Sequence, residues 1–249
     1  MQENKNYKLI IYIFLLVYII TLQFHFAKSN NFKYNKKNTK ELRLKMVKEQ
    51  IQRNGILNYN ILNAFSNVKR ELFVNLKNDQ DIYSNKELPI GEGQIISKPY
   101  ITAIIMSIIV DKKYKKILDI GTGSGYQAAI LSELGKNVFT IEINDKLIKI
   151  AKRNLSVAGY YRNVKFKTGD GYQGWGKYAP YDGIIVTSSL NHIPPKLIEQ
   201  LAIGGRMIIP VAYSKNVQEL VLLEKVNKNE IKKINLIPVQ FGPIIRLEK

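Results

Sequence analysis

The chain has 249 residues, 45% of them hydrophobic, which suits one domain of the α/β size class plus an extension, with a proper core. It contains no cysteine, so disulfides, zinc–thiolate centres and thiol catalysis are excluded. The formal net charge of +18 invites a nucleic-acid or anionic-surface partner, but the lysines are scattered among abundant asparagine and isoleucine, and no zinc-finger, helix-turn-helix or RNP pattern occurs. No nucleic acid is therefore expected.

The N-terminus differs in kind from the rest. Leu9 to Leu22 is an almost unbroken apolar run, preceded by Lys5 and Lys8 and followed by Lys28, Lys33, Lys36 and Lys37. A positive n-region, an apolar h-region and small residues at Ala27 and Ser29 fit a signal peptide over residues 1–29. Extended through Phe26, the same run reaches the ~17 residues that cross a bilayer, and the lysines after it would then keep the folded part cytoplasmic. Both readings stay open, and with them membrane attachment through residues 9–26. Residues 30–39 read as a polar, lysine-rich linker, and a single domain is expected over residues 40–249.

Leu44, Val47 and Ile51, with Met46 beside them, repeat at helical spacing and predict an amphipathic helix over Lys40–Arg53, ended by Asn54-Gly55. A second short helix fits Tyr59–Phe65. Pro89, Gly91, Gly93 and Pro99 then make Leu88–Tyr100 a loop that cannot be helical throughout, before an apolar helix over Ile101–Val110. Ser97 either caps that helix or grips a substrate. On spacing alone, capping is the simpler role.

Ile117, Leu118 and Ile120 read as a buried strand that stops at Gly121-Thr122-Gly123-Ser124-Gly125 and restarts as a helix at Tyr126. Such a turn lets the backbone approach a bound molecule with no Cβ in the way, although an ordinary strand-to-helix turn looks the same. A dinucleotide site wants G-x-G-x-x-G; here the third glycine arrives one residue early, and Asp119 would set a negative charge beside a phosphate. The pattern resembles motif I of the class I methyltransferases, whose cofactor is S-adenosylmethionine.

Asn137–Ile141 is the next strand, closed by Glu142, an acidic residue suited to the two hydroxyls of a ribose. Asn144 caps the following helix, Leu147, Ile148, Ala151, Leu155 and Ala158 form its buried stripe, and Gly159 stops it. Val164–Lys167 is a third strand, with Gly169-Asp170-Gly171 at the edge where an adenine would lie. Asp182–Thr187 is a fourth, apolar enough for burial on both faces. Pro194-Pro195 opens a helix to about Leu201, Gly204-Gly205 ends it, and Arg206–Ile209 is the fifth strand. Glu219–Val226 and Ile231–Val239 read as a terminal hairpin. Strands alternating with helices make this a doubly wound, mostly parallel sheet with an antiparallel addition. No metal cluster and no Ser/His/Asp triad emerges, and His192 reads as a surface or helix-start residue.

Several stretches together carry a closer resemblance: Pro89-Ile90-Gly91-Glu92-Gly93-Gln94, Ile96-Ser97-Lys98-Pro99, Gly121 to Gln127, Gly169-Asp170-Gly171-Tyr172-Gln173-Gly174-Trp175, Ala179-Pro180-Tyr181-Asp182 and Gly204 to Val211. In this order they closely resemble the bacterial protein-L-isoaspartate O-methyltransferases, from about Lys40 to Ile245. The resemblance implies a Rossmann-like class I methyltransferase with a seven-stranded sheet, an N-terminal helical extension and a C-terminal antiparallel hairpin. It implies repair of damaged proteins and peptides by methylation of the free carboxyl of L-isoaspartyl residues, with S-adenosylmethionine as cofactor and the chain acting as a monomer.

It also assigns Ser97 to the active site, outweighing capping, and matches Asp119, Gly121, Gly123, Gly125, Glu142, Asp170 and Gly171, with Ile95 and Ile96, to cofactor positions. A carboxylate nucleophile is already ionised at neutral pH, so no general base is needed. Catalysis is then mostly positioning, with Ser97 and N–H groups of the Gly93–Ser97 loop holding the acceptor. Three departures stand out. Ile95 replaces the usual threonine, Ser188-Ser189-Leu190 replaces an alanine-rich run, and the leader is unusual for a cytoplasmic repair enzyme. They leave open another carboxylate or an envelope-associated acceptor on the same machinery.

Overall fold

The computed structural model describes residues 36–76, 79–110, 113–214 and 217–246, which belong, from Lys37 onward, to a compact unit spanning Lys37–Lys249. The expected signal peptide or anchor over residues 1–29 lies outside the described residues. Among the described residues no helix is long and apolar enough to cross a membrane.

Helix α1 (Lys36–Met46) runs on through a π-helical turn, Val47–Ile51, and a 3-10 turn, Gln52–Asn54, to Gly55 at φ +92°. The amphipathic helix expected over Lys40–Arg53 is thus present with a loosened hydrogen-bond register. Its buried stripe follows Thr39, Arg43, Met46, Val47 and Ile51, whereas Leu44 is 46% exposed. Leu44, expected on that stripe, stands one residue past Arg43, which turns it about 100° away. Helix α2 (Tyr59–Asn67) starts where the Asn58 side chain accepts from the Asn60 and Ile61 N–H groups. A 3-10 turn at Arg70–Leu72 and the short α3 (Asp79–Ile82) lead to a two-stranded antiparallel hairpin, β1 (Leu88–Gly91) and β2 (Gln94–Ile96), and then to α4 (Pro99–Ile109).

The main sheet has seven strands in the order β5-β4-β3-β6-β7-β8-β9. They are β3 (Lys116–Ile120), β4 (Asn137–Glu142), β5 (Val164–Thr168), β6 (Tyr181–Val186), β7 (Leu201–Ser214), β8 (Val217–Lys225) and β9 (Ile231–Pro238). The first five are parallel to their neighbours, and β7-β8-β9 add an antiparallel edge. Helices α5 (Tyr126–Glu133) and α6 (Asp145–Ala158) make the crossovers from β3 to β4 and from β4 to β5. Ile117, Leu118, Ile184, Ile185, Val186 and Met207 to Ile209 are wholly buried, as strands covered on both faces require.

One boundary differs from expectation. Gly204-Gly205 does not end a helix: α7 (Pro195–Gln200) stops earlier, and the glycines lie inside β7, where pairing with β6 jumps from Tyr181↔Leu201 to Gly183↔Arg206. A Cβ on Gly205 would stand 2.8 Å from the Ala202 carbonyl and 2.9 Å from that of Asp182, so this bulge brings two backbones too close for any side chain.

Candidate active site

Strand order reverses at β3, which has β4 on one side and β6 on the other, and an open α/β sheet takes its ligand at the carboxyl ends beside such a point. A cleft of ≈590 Å³ opens there, inside the range of about 300–1,000 Å³ usual for small-molecule sites. Its floor is the glycine turn after β3. Gly121 has φ +97° and its N–H donates to the Ile141 carbonyl at 2.9 Å. The Thr187 hydroxyl, at the end of β6, donates to the Ile120 carbonyl at 2.8 Å, and a Cβ on Gly121 would overlap that hydroxyl. A Cβ on Gly171 would likewise overlap Ile120. Gly121, Gly123 and Gly171 line the cleft. Gly125 does not: its φ of +91° starts α5, and a Cβ there would meet Leu155 of α6 at 3.0 Å, so its role is packing between helices.

Glu142 ends β4 at the cleft, 8% exposed. Its Oε2 accepts from the Gly123 N–H at 3.0 Å and its Oε1 from the Asn144 N–H at 3.0 Å. Both oxygens keep acceptor capacity, which fits a pair of vicinal hydroxyls such as a ribose presents.

Two acidic residues matched to the cofactor are not in the cleft wall. Asp119 is wholly buried behind the turn, its carboxylate taking bonds from Gln127 Nε2 at 2.6 Å and Thr140 Oγ1 at 2.9 Å. Strand alternation turns it away from the ligand side, and it acts by holding β3, β4 and α5 together beneath the turn. Burial pushes its pKa up to about 6, the bonds from Gln127 and Thr140 oppose the rise, and the charge of Glu142 adds to it.

Since this value lies above the ordinary 3.8, the contribution of Asp119 to stability is fully present below pH 3.8 and is lost as pH rises through about 6. In Asp119→Asn the amide can accept from Gln127 and donate to Thr140. Between pH 4 and 7 the wild-type chain is expected to lose about 2 kcal/mol relative to this variant in urea unfolding. Parallel pH profiles would refute the assignment.

Asp170 is occupied as well. Its Oδ1 accepts from the Tyr172 N–H at 2.9 Å and its Oδ2 from Arg246 Nε at 2.8 Å, while the Arg246 guanidinium lies 3.7 Å from the centre of the Tyr172 ring. The cleft contact at this corner is made by Gly169 and Gly171 on either side. Asp170 shapes that backbone by capping the Gly171–Gln173 turn.

The β1–β2 hairpin forms the opposite wall. Its tip is tied to the start of α6, where Glu92 pairs with Lys146 at 3.3 Å and accepts from Asn144 Nδ2 at 3.5 Å. Ile90 of β1 covers Gly123. Ile95, Ile96 and Ser97 all line the cleft, Ile96 buried and Ile95 50% exposed. Ser97 does not cap α4: the N-cap is Lys98, and the helix starts on Pro99 with no side-chain cap.

The third wall, residues 238–245, follows the last strand. Ser189 holds it: its N–H donates to the Gly242 carbonyl at 2.8 Å, and its own carbonyl accepts from the Ile244 N–H at 3.0 Å. Gln218 holds Phe241 by both backbone groups, at 2.8 and 3.1 Å.

A family model described as protein-L-isoaspartate(D-aspartate) O-methyltransferase matches residues 41–249. The chain belongs to this family. A protein-L-isoaspartate O-methyltransferase of Syntrophus aciditrophicus is 44% identical over 82% of this chain and 93% of its own length. Protein-L-isoaspartate O-methyltransferase 2 of Syntrophobacter fumaroxidans is 44% identical over 74% of each chain. A solved protein-L-isoaspartate O-methyltransferase superposes with a TM-score of 0.72 at 28% identity, covering 82% of this chain and 65% of the other.

Within this methyltransferase family, two features of the site escape a reading of motifs. Thr187 closes the glycine turn from a neighbouring strand, and nothing local marks it. The wall at 238–245 follows the final strand without periodicity, its one local signal being the turn-forming Gly242-Pro243. The serines at 188 and 189 gain a reason: Ser188 lines the cleft and Ser189 fastens that wall. His192, by contrast, meets Tyr172 at 2.8 Å on the surface and is absent from the cleft lining.

Proposed function

We propose that this cleft transfers a methyl group from S-adenosylmethionine to the free carboxyl of L-isoaspartyl residues in damaged proteins and peptides. Family membership across residues 41–249 supports this reading, and the observation that carries it is the meeting of Ser97 and Glu142 in one cleft with the glycine turn. The wall fits the cofactor: Gly121 and Gly171 present bare backbone to the cleft, and Glu142 is held rigidly by two backbone N–H groups. S-adenosylmethionine supplies, when bound, an electrophilic methyl on a sulfonium.

The chain's own residues do the rest. Glu142 takes the ribose hydroxyls, Gly169 and Gly171 flank the adenine, and the hairpin presents Ser97 to the acceptor carboxylate. A carboxyl of this kind ordinarily titrates at about pH 4, so it is ionised at neutral pH and needs no base. Orientation by Ser97 and the hairpin N–H groups can then supply on the order of 7–11 kcal/mol. The same reading has the chain act as a monomer. Supply of the cofactor from the cytoplasm supports a catalytic domain on that side, attached to a membrane through residues 9–26; cleavage of the leader as a signal peptide is the alternative and would go with export.

The test is methyl transfer from labelled S-adenosylmethionine to one peptide made in isoaspartyl and in normal aspartyl form. Base-labile label on the isoaspartyl peptide alone is the expected outcome. Label on neither, with cofactor bound, would move the acceptor to another carboxylate.

A further inference from the structure

Behind the hairpin lies a charge for which the methyl-transfer scheme has so far no use. Arg70, at the 3-10 turn after α2, is wholly buried. A buried guanidinium is costly unless a carboxylate and hydrogen bonds compensate it, and such positions are as stable or more so when refilled with apolar side chains. Among the described residues Arg70 makes no ion pair. The adjacent Glu71 is engaged elsewhere, with Arg43 at 3.5 Å and with the Tyr83 hydroxyl. Arg70 instead donates from Nε to the Ile82 carbonyl at 3.0 Å and from Nη2 to the Ser97 carbonyl at 3.0 Å. Its Nη1 is buried with no hydrogen-bond partner. The guanidinium lies 4.9 Å from the centre of the Tyr126 ring and attracts the neutral Tyr126 hydroxyl, which has no other hydrogen-bond partner among the described residues. Tyr126 and Ser97 both line the cleft; Arg70 stands directly behind them.

We infer that Arg70 is a positioning residue for the acceptor: it fixes Ser97 through the backbone carbonyl and lends an uncompensated positive charge to the place where the isoaspartyl carboxylate is desolvated. Two properties support this over a purely structural role. The planar fork of arginine reaches two carbonyls, of Ile82 and Ser97, from one rigid group, which ties the hairpin's end to the end of α3. The bond goes to the Ser97 main chain, so the Ser97 hydroxyl is left free for a ligand. Charge and position thus act on the same side of the cleft, away from Glu142. Arg70's hydrogen bonds go to the Ile82 and Ser97 carbonyls, not to Gly121, Glu142 or Gly171.

The inference rests on the isoaspartyl methyl-transfer reading, so the wild-type full chain is assayed first. Arg70→Met removes the charge at similar length, and Arg70→Lys keeps a charge without the fork. S-adenosylmethionine affinity is expected to stay within about 3-fold of wild type in both. The kcat/KM for the isoaspartyl peptide is expected to fall about 30-fold or more in Arg70→Met, and less in Arg70→Lys, whose recovery appears in KM for the peptide. Combined with Ser97→Ala, Arg70→Met is expected to lose less than the product of the two single losses, because one acts through the other.

Multiplicative losses in the double variant, an unchanged kcat/KM in folded Arg70→Met, or an equal loss of cofactor affinity would each overturn the proposal. So would failure of both single variants to fold, which would assign Arg70 to stability. A wild-type chain that labels neither peptide would overturn the methyl-transfer reading and this inference together. Active wild type with unaffected Arg70 variants would overturn only the inference.

Discussion

Glu142→Ala is expected to weaken S-adenosylmethionine binding by about 100-fold, the largest loss of any single side chain in the cleft. Hydrogen bonds to a charged group contribute about 1.5–3 kcal/mol each, and in the proposed scheme Glu142 makes two of them, to the ribose hydroxyls. The same carboxylate holds the Gly123 and Asn144 N–H groups, so its loss also loosens the glycine turn against β4. Glu142→Gln sharpens the test. The amide keeps one acceptor oxygen but turns its NH2 toward one of the two N–H groups, and a loss of about 10-fold is expected, together with a small drop in stability. Titration calorimetry with S-adenosylmethionine measures both variants. An unchanged affinity in Glu142→Ala would remove Glu142 from the cofactor site, whatever its effect on stability.

Ser97→Ala should separate acceptor from cofactor. Losing one hydrogen bond to an ionised carboxylate predicts a fall of about 10- to 100-fold in kcat/KM for the isoaspartyl peptide, with cofactor affinity unaltered. Stability makes the prediction more discriminating. A capping serine would take about 0.5–2 kcal/mol of stability with it. Lys98 is the N-cap residue of α4, so Ser97→Ala is expected to unfold within about 0.5 kcal/mol of wild type. A large loss of stability with unaltered turnover would restore the capping role and leave the acceptor without its serine.

Ile95 bears on which acceptors the hairpin admits. It is half exposed where it lines the cleft, and it carries no hydroxyl that could supplement Ser97. In the proposed scheme the hairpin N–H groups and the Ser97 hydroxyl hold the acceptor carboxylate without a side-chain bond from residue 95.

The β3–α5–β4–α6–β5 half of the fold was legible almost residue by residue. Its strands are short apolar runs, Asn144 and Gly159 bracket α6 with side-chain and left-handed caps, and the three glycines mark the turn. Local chemistry dictates each of these, since a cap or a positive φ depends on a residue and its immediate neighbours. The glycine turn and Glu142 followed for the same reason.

Other features depended on parts of the chain that meet only in space. Leu44 looked apolar enough to be buried, but the packed face of α1 is set by what α2, Glu71 and Tyr83 present to Arg43. Gly204-Gly205 read as a helix stop because that is what two glycines usually mean; the pairing of β7 with β6 made them a bulge instead. Asp119 and Asp170 matched the cofactor by position in a motif. Which way a side chain turns, and what already occupies it, depends on Gln127, Thr140 and Arg246, residues 8, 21 and 76 positions away.

By itself, then, the sequence determined the order of strands and helices in the main sheet, the ligand turn and the family, because hydrophobic period, glycine geometry and capping are local properties; it left the β1–β2 hairpin as a loop. Tertiary structure decided the rest: that Ser97 faces the same cleft as Glu142, that residues 238–245 close it, and that Arg70 stands uncompensated behind it. Those relations join residues far apart in the chain, and burial, charge and hydrogen-bond partners acquire values only once the chain has packed.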